Sequence, residues 1–147
     1  MLRLPAALRD RIAAEAQRAF PRECCGLLEG KREGCVIVVA AAHAARNLSD
    51  RTDRFEIDPA DHVRILRAAR ERGNVLVGCY HSHPNGRPEP SLHDNNGASE
   101  TGYAWLIAAA TPDGQAEIAA YRFDGTVFLP LALSGDRSLD PAAGSIV

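Results

Sequence analysis

Two turn signals, Thr111-Pro112-Asp113-Gly114 and Asp124-Gly125, each stand between apolar runs and constrain the fold more than any other feature of the chain. A Pro-Asp-Gly or Asp-Gly step between two β-type runs closes a tight antiparallel hairpin. Trp105–Thr111, Ala116–Phe123 and Thr126–Leu133 are thereby predicted to be three consecutive strands. An all-helical bundle is excluded, and no run reaches the ~18 apolar residues of a membrane-spanning helix.

Helical patterns occupy the spaces between the remaining apolar runs. Leu8, Ile12, Ala16 and Phe20 recur at helical spacing over residues 6–20, and Pro21 ends that segment. Cys24–Leu28 and Cys35–Ala42 read as strands about a polar turn at Lys31–Gly34, and Arg54–Ile57 reads as a short strand after a polar loop. Asp58 is placed to cap a helix that has Pro59 at its first position and runs to Arg72, where Gly73 stops it. Asn74–Tyr80 has the composition of a central strand, and Ser91 opens a further helix to Glu100. The chain of 147 residues is the usual size of one domain. The expected architecture is α/β in composition (α+β in layout): a mixed, largely antiparallel sheet flanked by two or three helices over residues 1–133. Residues 134–147 are small, polar and without period, and are expected to form a frayed tail.

Chemistry concentrates in residues 81–94. His81 and His83 follow the apolar run, and side chains two apart on an extended chain share a face. Two imidazoles on one face can hold a metal, and Asp94 would add a carboxylate. Three mixed nitrogen and oxygen ligands leave a tetrahedral zinc with one open position, the catalytic arrangement. Ser91 and Asp94 also have a second reading. A serine followed three residues later by an acid approaches a helix capping box, in which neither side chain touches a metal. Spacing alone leaves the two readings open. His93 would lie about 100° round the helix from Asp94 and is set aside as a fourth ligand. His43 and His62 have no identifiable partner in the sequence. Glu23 stands where the first helix gives way to a strand, and spacing alone does not bring it to residue 81.

A net charge of −2, with arginines scattered along the chain, offers nothing to nucleic acid or to an anionic membrane. The N-terminus has no apolar signal core. Cys24, Cys25, Cys35 and Cys79 fit neither a zinc ribbon nor a disulfide scaffold, so reduced thiols in a cytoplasmic protein are expected.

Taken together, Glu23, His81-Ser82-His83, Ser91 and Asp94 resemble the JAMM metalloprotease signature, which belongs to the catalytically competent branch of the MPN domain: an upstream Glu, His-Ser/Thr-His, seven residues, Ser, two residues, Asp. Glu23-Cys24-Cys25-Gly26-Leu27-Leu28, Pro84 and Arg54-Phe55-Glu56-Ile57-Asp58-Pro59 match its flanks, so the resemblance spans residues 1–133. It implies an MPN-like fold and one zinc ion with a bound water, held by His81, His83 and Asp94. It further implies Glu23 as general acid/base and Ser91 as oxyanion donor. The implied reaction is hydrolysis of a peptide or isopeptide bond at the C-terminal tail of a ubiquitin-like or sulfur-carrier protein. A weaker likeness links the 81–94 loop to RadC-like proteins, against which stand the Glu23 segment and the missing basic patch. A non-catalytic MPN scaffold is the other alternative, but such members lose ligands and this chain keeps them all.

Overall fold

A computed structural model describes residues 1–114 and 116–135. Its elements are β1 (Leu2–Arg3), α1 (Ala6–Ala19), β2 (Cys25–Glu33), β3 (Val36–Ala45), α2 (Pro59–Glu71), β4 (Val75–His83), α3 (Leu92–Gly97), β5 (Ala104–Ala110), β6 (Ala116–Phe123), β7 (Phe128–Leu131) and β8 (Leu133–Ser134). The strands form one mixed sheet in the order β7-β6-β5-β4-β2-β3-β1-β8. The pairs β2–β3, β2–β4, β5–β6 and β6–β7 are antiparallel; β1–β3, β1–β8 and β4–β5 are parallel. No helix among the described residues is long and apolar enough to cross a membrane.

Both predicted hairpins form, but the last predicted strand does not run unbroken over 126–133. It divides at Ala132, so that β7 pairs with β6 while β8 pairs with β1 at the other end of the strand order. Pro130 supplies no backbone donor, which suits a strand paired along only one side. The sheet must therefore curl until its first and last strands are joined by one residue. The tail expected from residue 134 begins as β8, and residues 136–147 lie outside the described part.

Three other expectations are corrected. β2 continues through Lys31-Arg32-Glu33, because these exposed side chains sit on a ladder with β3; the turn comes at Gly34, whose φ of 61° suits a residue without a Cβ. Arg54–Ile57 makes one isolated bridge, Asn47 to Ile57, because Pro59 begins α2 almost at once. α3 stops at Gly97, in keeping with the weak helix formers Asn95, Asn96 and Gly97.

Alternation along β2, β4 and β5 sorts side chains into two layers. Leu28, Tyr80 and Leu106 pack with Ile12 and Ala16 of α1 in the larger core. Leu27, Cys79 and Trp105 pack with Ile65 of α2 in the smaller one. Gly26 faces Tyr80 across the ladder, and a Cβ there would meet the tyrosine ring at 2.2 Å; the ring crosses this gap and its hydroxyl donates to Glu15 of α1 at 2.9 Å. His81 and His83 fall on the α2 side by the same alternation.

Glu29 of β2 is buried and anchors the end of α2. Arg72 donates to it from Nε at 2.9 Å and from Nη2 at 2.5 Å, Asn74 Nδ2 donates at 2.6 Å, and His43 Nε2 lies 2.8 Å away. Arg72 foremost, with Asn74 and His43, outweighs burial and lowers the Glu29 pKa to about 2. A depressed carboxyl pKa stabilises the fold above the unfolded value of about 4.3 and ceases to do so as the folded value is passed on acidification. Glu29→Gln should cost about 2 kcal/mol at pH 7, the scale of hydrogen bonds to a charged group. In urea melts the difference from wild type should shrink as pH falls from about 5 to about 2; a difference that stays constant over that range would exclude this ion cluster as its source.

Candidate metal centre

The end of β4 positions two of the predicted residues. His81 and His83 point from one face of the strand, with their Nε2 atoms 2.9 Å apart. The crossover from β4 to the parallel strand β5 carries α3, whose first turn returns Asp94 over the strand end. The Asp94 carboxylate lies 3.1 Å from both Nε2 atoms. All three residues are buried.

Glu23 joins them through strand pairing. Cys25 stands opposite His81 in the antiparallel ladder between β2 and β4. One step on, Ser82 N–H donates to Cys24 O at 3.1 Å, and Cys24 N–H donates to Ser82 Oγ at 2.8 Å. The next step brings Glu23 to His83, and its carboxylate lies within 4.8 Å of the His81 and His83 ligand atoms. Asn47 Nδ2 holds the Glu23 carbonyl at 2.9 Å, while Asn47 Oδ1 accepts from Ser49 N–H at 2.9 Å and from Glu56 N–H at 3.0 Å. One side chain thus links Glu23 to the loop that carries Asp53 and Arg54.

Ser91 is the N-cap of α3 in a reciprocal capping box. Its Oγ accepts from Asp94 N–H at 3.1 Å, and its own N–H donates to Asp94 Oδ2 at 2.8 Å. The cap and the cluster coexist, because Asp94 Oδ2 faces the serine amide and both imidazoles. Accepting a bond at Oγ leaves the serine hydroxyl proton to donate. With Glu23, His83 and Asp53, Ser91 lines a cleft of about 450 Å³. His93 is turned outward, 3.1 Å from Arg54 Nη2 and 3.5 Å from Asp53.

The donor set fits a metal ion. In the absence of a cation, two Nε2 atoms and a carboxylate compete for one another's single protons. One cation with bonds of about 2 Å would satisfy all three donors, whose 2.9–3.1 Å separations approach the ~3.3 Å edge of such a tetrahedron. His83 Nδ1–H donates to Arg87 O at 2.9 Å, which leaves the Nε2 lone pair facing the cluster. Glu23 Oε1 and His81 Nδ1 are buried without a hydrogen-bond partner. The His81 ring is wedged between Phe55, stacked at 4.5 Å, and the edge of Trp105 at 5.7 Å.

Electrostatics separate the two acids. Burial, aided by the charges of Asp94 and Asp53 and opposed by His83, raises Glu23 to about 8. Burial also acts on Asp94, but hydrogen bonds from His81, His83 and the Ser91 amide overcome it and hold Asp94 well below the usual carboxylate range. Burial pushes the His81 pKa down; in His83 it is outweighed by the Asp94 hydrogen bond and charge, so that pKa rises. One acid is thus ready to carry a proton while the other stays ionised.

Three contributors were not singled out as site residues in the sequence: Ser82, Asn47 and Phe55. Strand alternation signals Ser82, which must point away from its histidine neighbours. Nothing in the sequence signals Asn47, whose partners come from three segments. Asn47→Asp keeps the acceptor that organises residues 49–56 and loses the donor to Glu23. It should keep its fold and metal content and lower kcat ten- to hundred-fold, the scale of a small misplacement of a reacting group. Steady-state kinetics alongside metal analysis would check this; unchanged kcat would remove Asn47 from the site.

Residues 5–124 match the family described as prokaryotic homologs of the JAB domain. The chain is 36% identical over 138 residues to a desampylase of Haloferax volcanii, covering 90% of this chain and 95% of that protein. It is 29% identical over 129 residues to the CysO-cysteine peptidase of Mycobacterium tuberculosis, covering 86% of each. A JAB1/MPN domain protein from Archaeoglobus fulgidus superposes with a TM-score of 0.57 at 20% identity, over 90% of this chain and 97% of that one, which shows the shared fold.

Proposed function

Because this chain belongs to the prokaryotic JAB-domain family, a JAMM/MPN branch, we propose that it is a zinc-dependent hydrolase that cuts a peptide or isopeptide bond at the C-terminal tail of a ubiquitin-like or sulfur-carrier protein. The observation that carries the reading is the convergence of His81, His83 and Asp94 within 3.1 Å, with the buried Glu23 carboxylate beside them. Similarity to a desampylase and to a CysO-cysteine peptidase supports the substrate class.

His81 and His83 through Nε2, and Asp94 through its carboxylate, would hold the metal. When bound, zinc supplies Lewis acidity, acidifying water to a pKa of roughly 7 and polarising the scissile carbonyl. Glu23 Oε1 has no competing partner and takes a proton from the attacking water. The same carboxyl, favoured in its protonated form by burial, returns that proton to the leaving amine. Ser91 O–H donates to the developing oxyanion, its oxygen held in place by the Asp94 amide. Asn47 and Ser82 keep the Glu23 backbone in register with β4.

The test is to incubate zinc-loaded protein with ubiquitin-like and sulfur-carrier proteins bearing a C-terminal extension and to follow intact mass. Loss of the extension at the carrier's terminus is expected. Unchanged masses across both classes, with zinc bound, would sink the substrate assignment.

A further inference from the structure

The loop between β4 and α3 does more than join two elements. Its Arg87 carbonyl accepts the His83 Nδ1 proton at 2.9 Å, the bond that aims the other ring nitrogen at the cluster. Pro84, Pro88 and Pro90 stiffen the loop. Within it, Asn85 Oδ1 accepts from Arg87 N–H at 2.9 Å. From outside it, Tyr121 of β6 donates its hydroxyl proton to Pro88 O at 2.9 Å. That bond spans 33 residues of sequence and has no part in the mechanism above.

Resting on the metal-site reading above, we propose that Tyr121 is a positioning residue for the metal centre: its hydroxyl, acting through the Pro88 and Arg87 carbonyls, fixes the orientation of the His83 ring. The linkage is stiff at its covalent step. The Pro88 ring locks φ at about −65°, so one soft torsion, the ψ of Pro88, separates the two carbonyls. The proline also confines Arg87 to extended backbone, because its ring clashes with a helical residue before it. Holding the Pro88 oxygen therefore holds the Arg87 oxygen. The base from which Tyr121 reaches is equally firm. Tyr121 is paired with Trp105 of β5, and Trp105 with Cys79 of β4, two residues before His81. By alternation the tyrosine shares a sheet face with His81 and His83. A row of rings joins them: Tyr121 lies 6.4 Å from Phe128, Phe128 5.1 Å from Trp105, and Trp105 5.7 Å from His81. The two histidines and the clamp thus stand on one surface, and the loop is held between them.

Tyr121→Phe keeps the ring against the smaller core and deletes the bond to Pro88. Its affinity for zinc, measured by competition with a chromophoric chelator, should fall about tenfold, the lower end of the range for partners that orient a metal-binding imidazole. Cobalt(II) bound in place of zinc should show shifted visible absorption bands, since the His83 ring is no longer held. A merely structural tyrosine would lower the urea midpoint of the metal-free protein and leave both metal readouts unchanged, because Kd compares two folded states. Pro88→Ala is the second variant: it keeps the acceptor carbonyl and the tyrosine but releases φ. It should also weaken zinc binding, and in the double variant the two losses should not add, as for two breaks in one linkage. Wild-type zinc affinity in Tyr121→Phe, or fully additive losses in the double variant, overturns the positioning role and leaves the hydrolase reading standing. Should Tyr121→Phe fail to fold, Pro88→Ala decides alone, and unchanged affinity there overturns the role. Failure of the wild type to bind zinc overturns the metal-site reading and the role of Tyr121 with it.

Discussion

Replacing Asp94 with alanine should abolish metal binding and reduce hydrolysis to the level of the metal-free protein. Its carboxylate is buried and lies 3.1 Å from both Nε2 atoms, so its loss removes the one anion in direct contact with both imidazoles and leaves only the Glu23 carboxylate, within 4.8 Å of them, as a substitute. Loss of a supporting partner outside the ligand set already weakens metal affinity about 10–100-fold, so loss of a ligand should exceed the upper figure. The alanine variant also loses half of the α3 capping box, at a cost of about 1 kcal/mol. Asp94→Asn separates the two effects, because the amide keeps a capping acceptor and lacks the charge. In wild type, zinc at a hundred times its Kd should stabilise the fold by about 2.7 kcal/mol. Neither variant should respond. Stoichiometric zinc in either one, measured by elemental analysis, would refute Asp94 as a ligand.

Glu23→Gln should leave zinc bound and lower kcat about 10²–10⁴-fold, the range of a lost general acid/base. The substitution is nearly isosteric, and Oε1 has no hydrogen-bond partner to lose. The metal-free proteins provide a second readout of opposite sign. A carboxyl raised to about 8 by burial contributes most to stability below its unfolded pKa, and that contribution is lost as pH rises toward the folded value. Wild type should therefore lose stability relative to Glu23→Gln between about pH 4.5 and pH 8, since the amide never has to bury a charge. Full turnover by the glutamine variant would eliminate Glu23 as the base. A parallel pH profile of the two metal-free proteins would show instead that Glu23 is solvated.

The same two residues show how far a sequence of this kind can be read. The histidine pair is legible because Val75–Tyr80 has no charged or amide side chain and alternation then forces His81 and His83 onto one face. Asp94 was ambiguous by spacing, and the structure shows why: one oxygen faces both the capping amide and the imidazoles, so neither reading excluded the other. Glu23 entered only through a family resemblance. Its place beside His83 depends on the register that sets Cys25 opposite His81, and register is a property of two distant strands rather than of either one. Asn47 was illegible for a similar reason, since its partners Glu23, Ser49 and Glu56 meet only after the loop has folded. The two hairpins carried their own turn chemistry and were read directly. The division of the last strand at Ala132 has no local signal, because it is imposed by closure of the sheet.

That closure bears on how the sheet is kept from pairing with a foreign chain. Leu2 is registered with Leu133 and Arg3 with Ser134, so β8 covers the outer side of β1. The two strands at the ends of the strand order, β7 and β8, are four and two residues long and belong to one stretch of chain, Phe128–Ser134. Short edge strands are poor templates for edge-to-edge pairing. The cluster of His81, His83 and Asp94, held by β4 and α3, lies away from both edges.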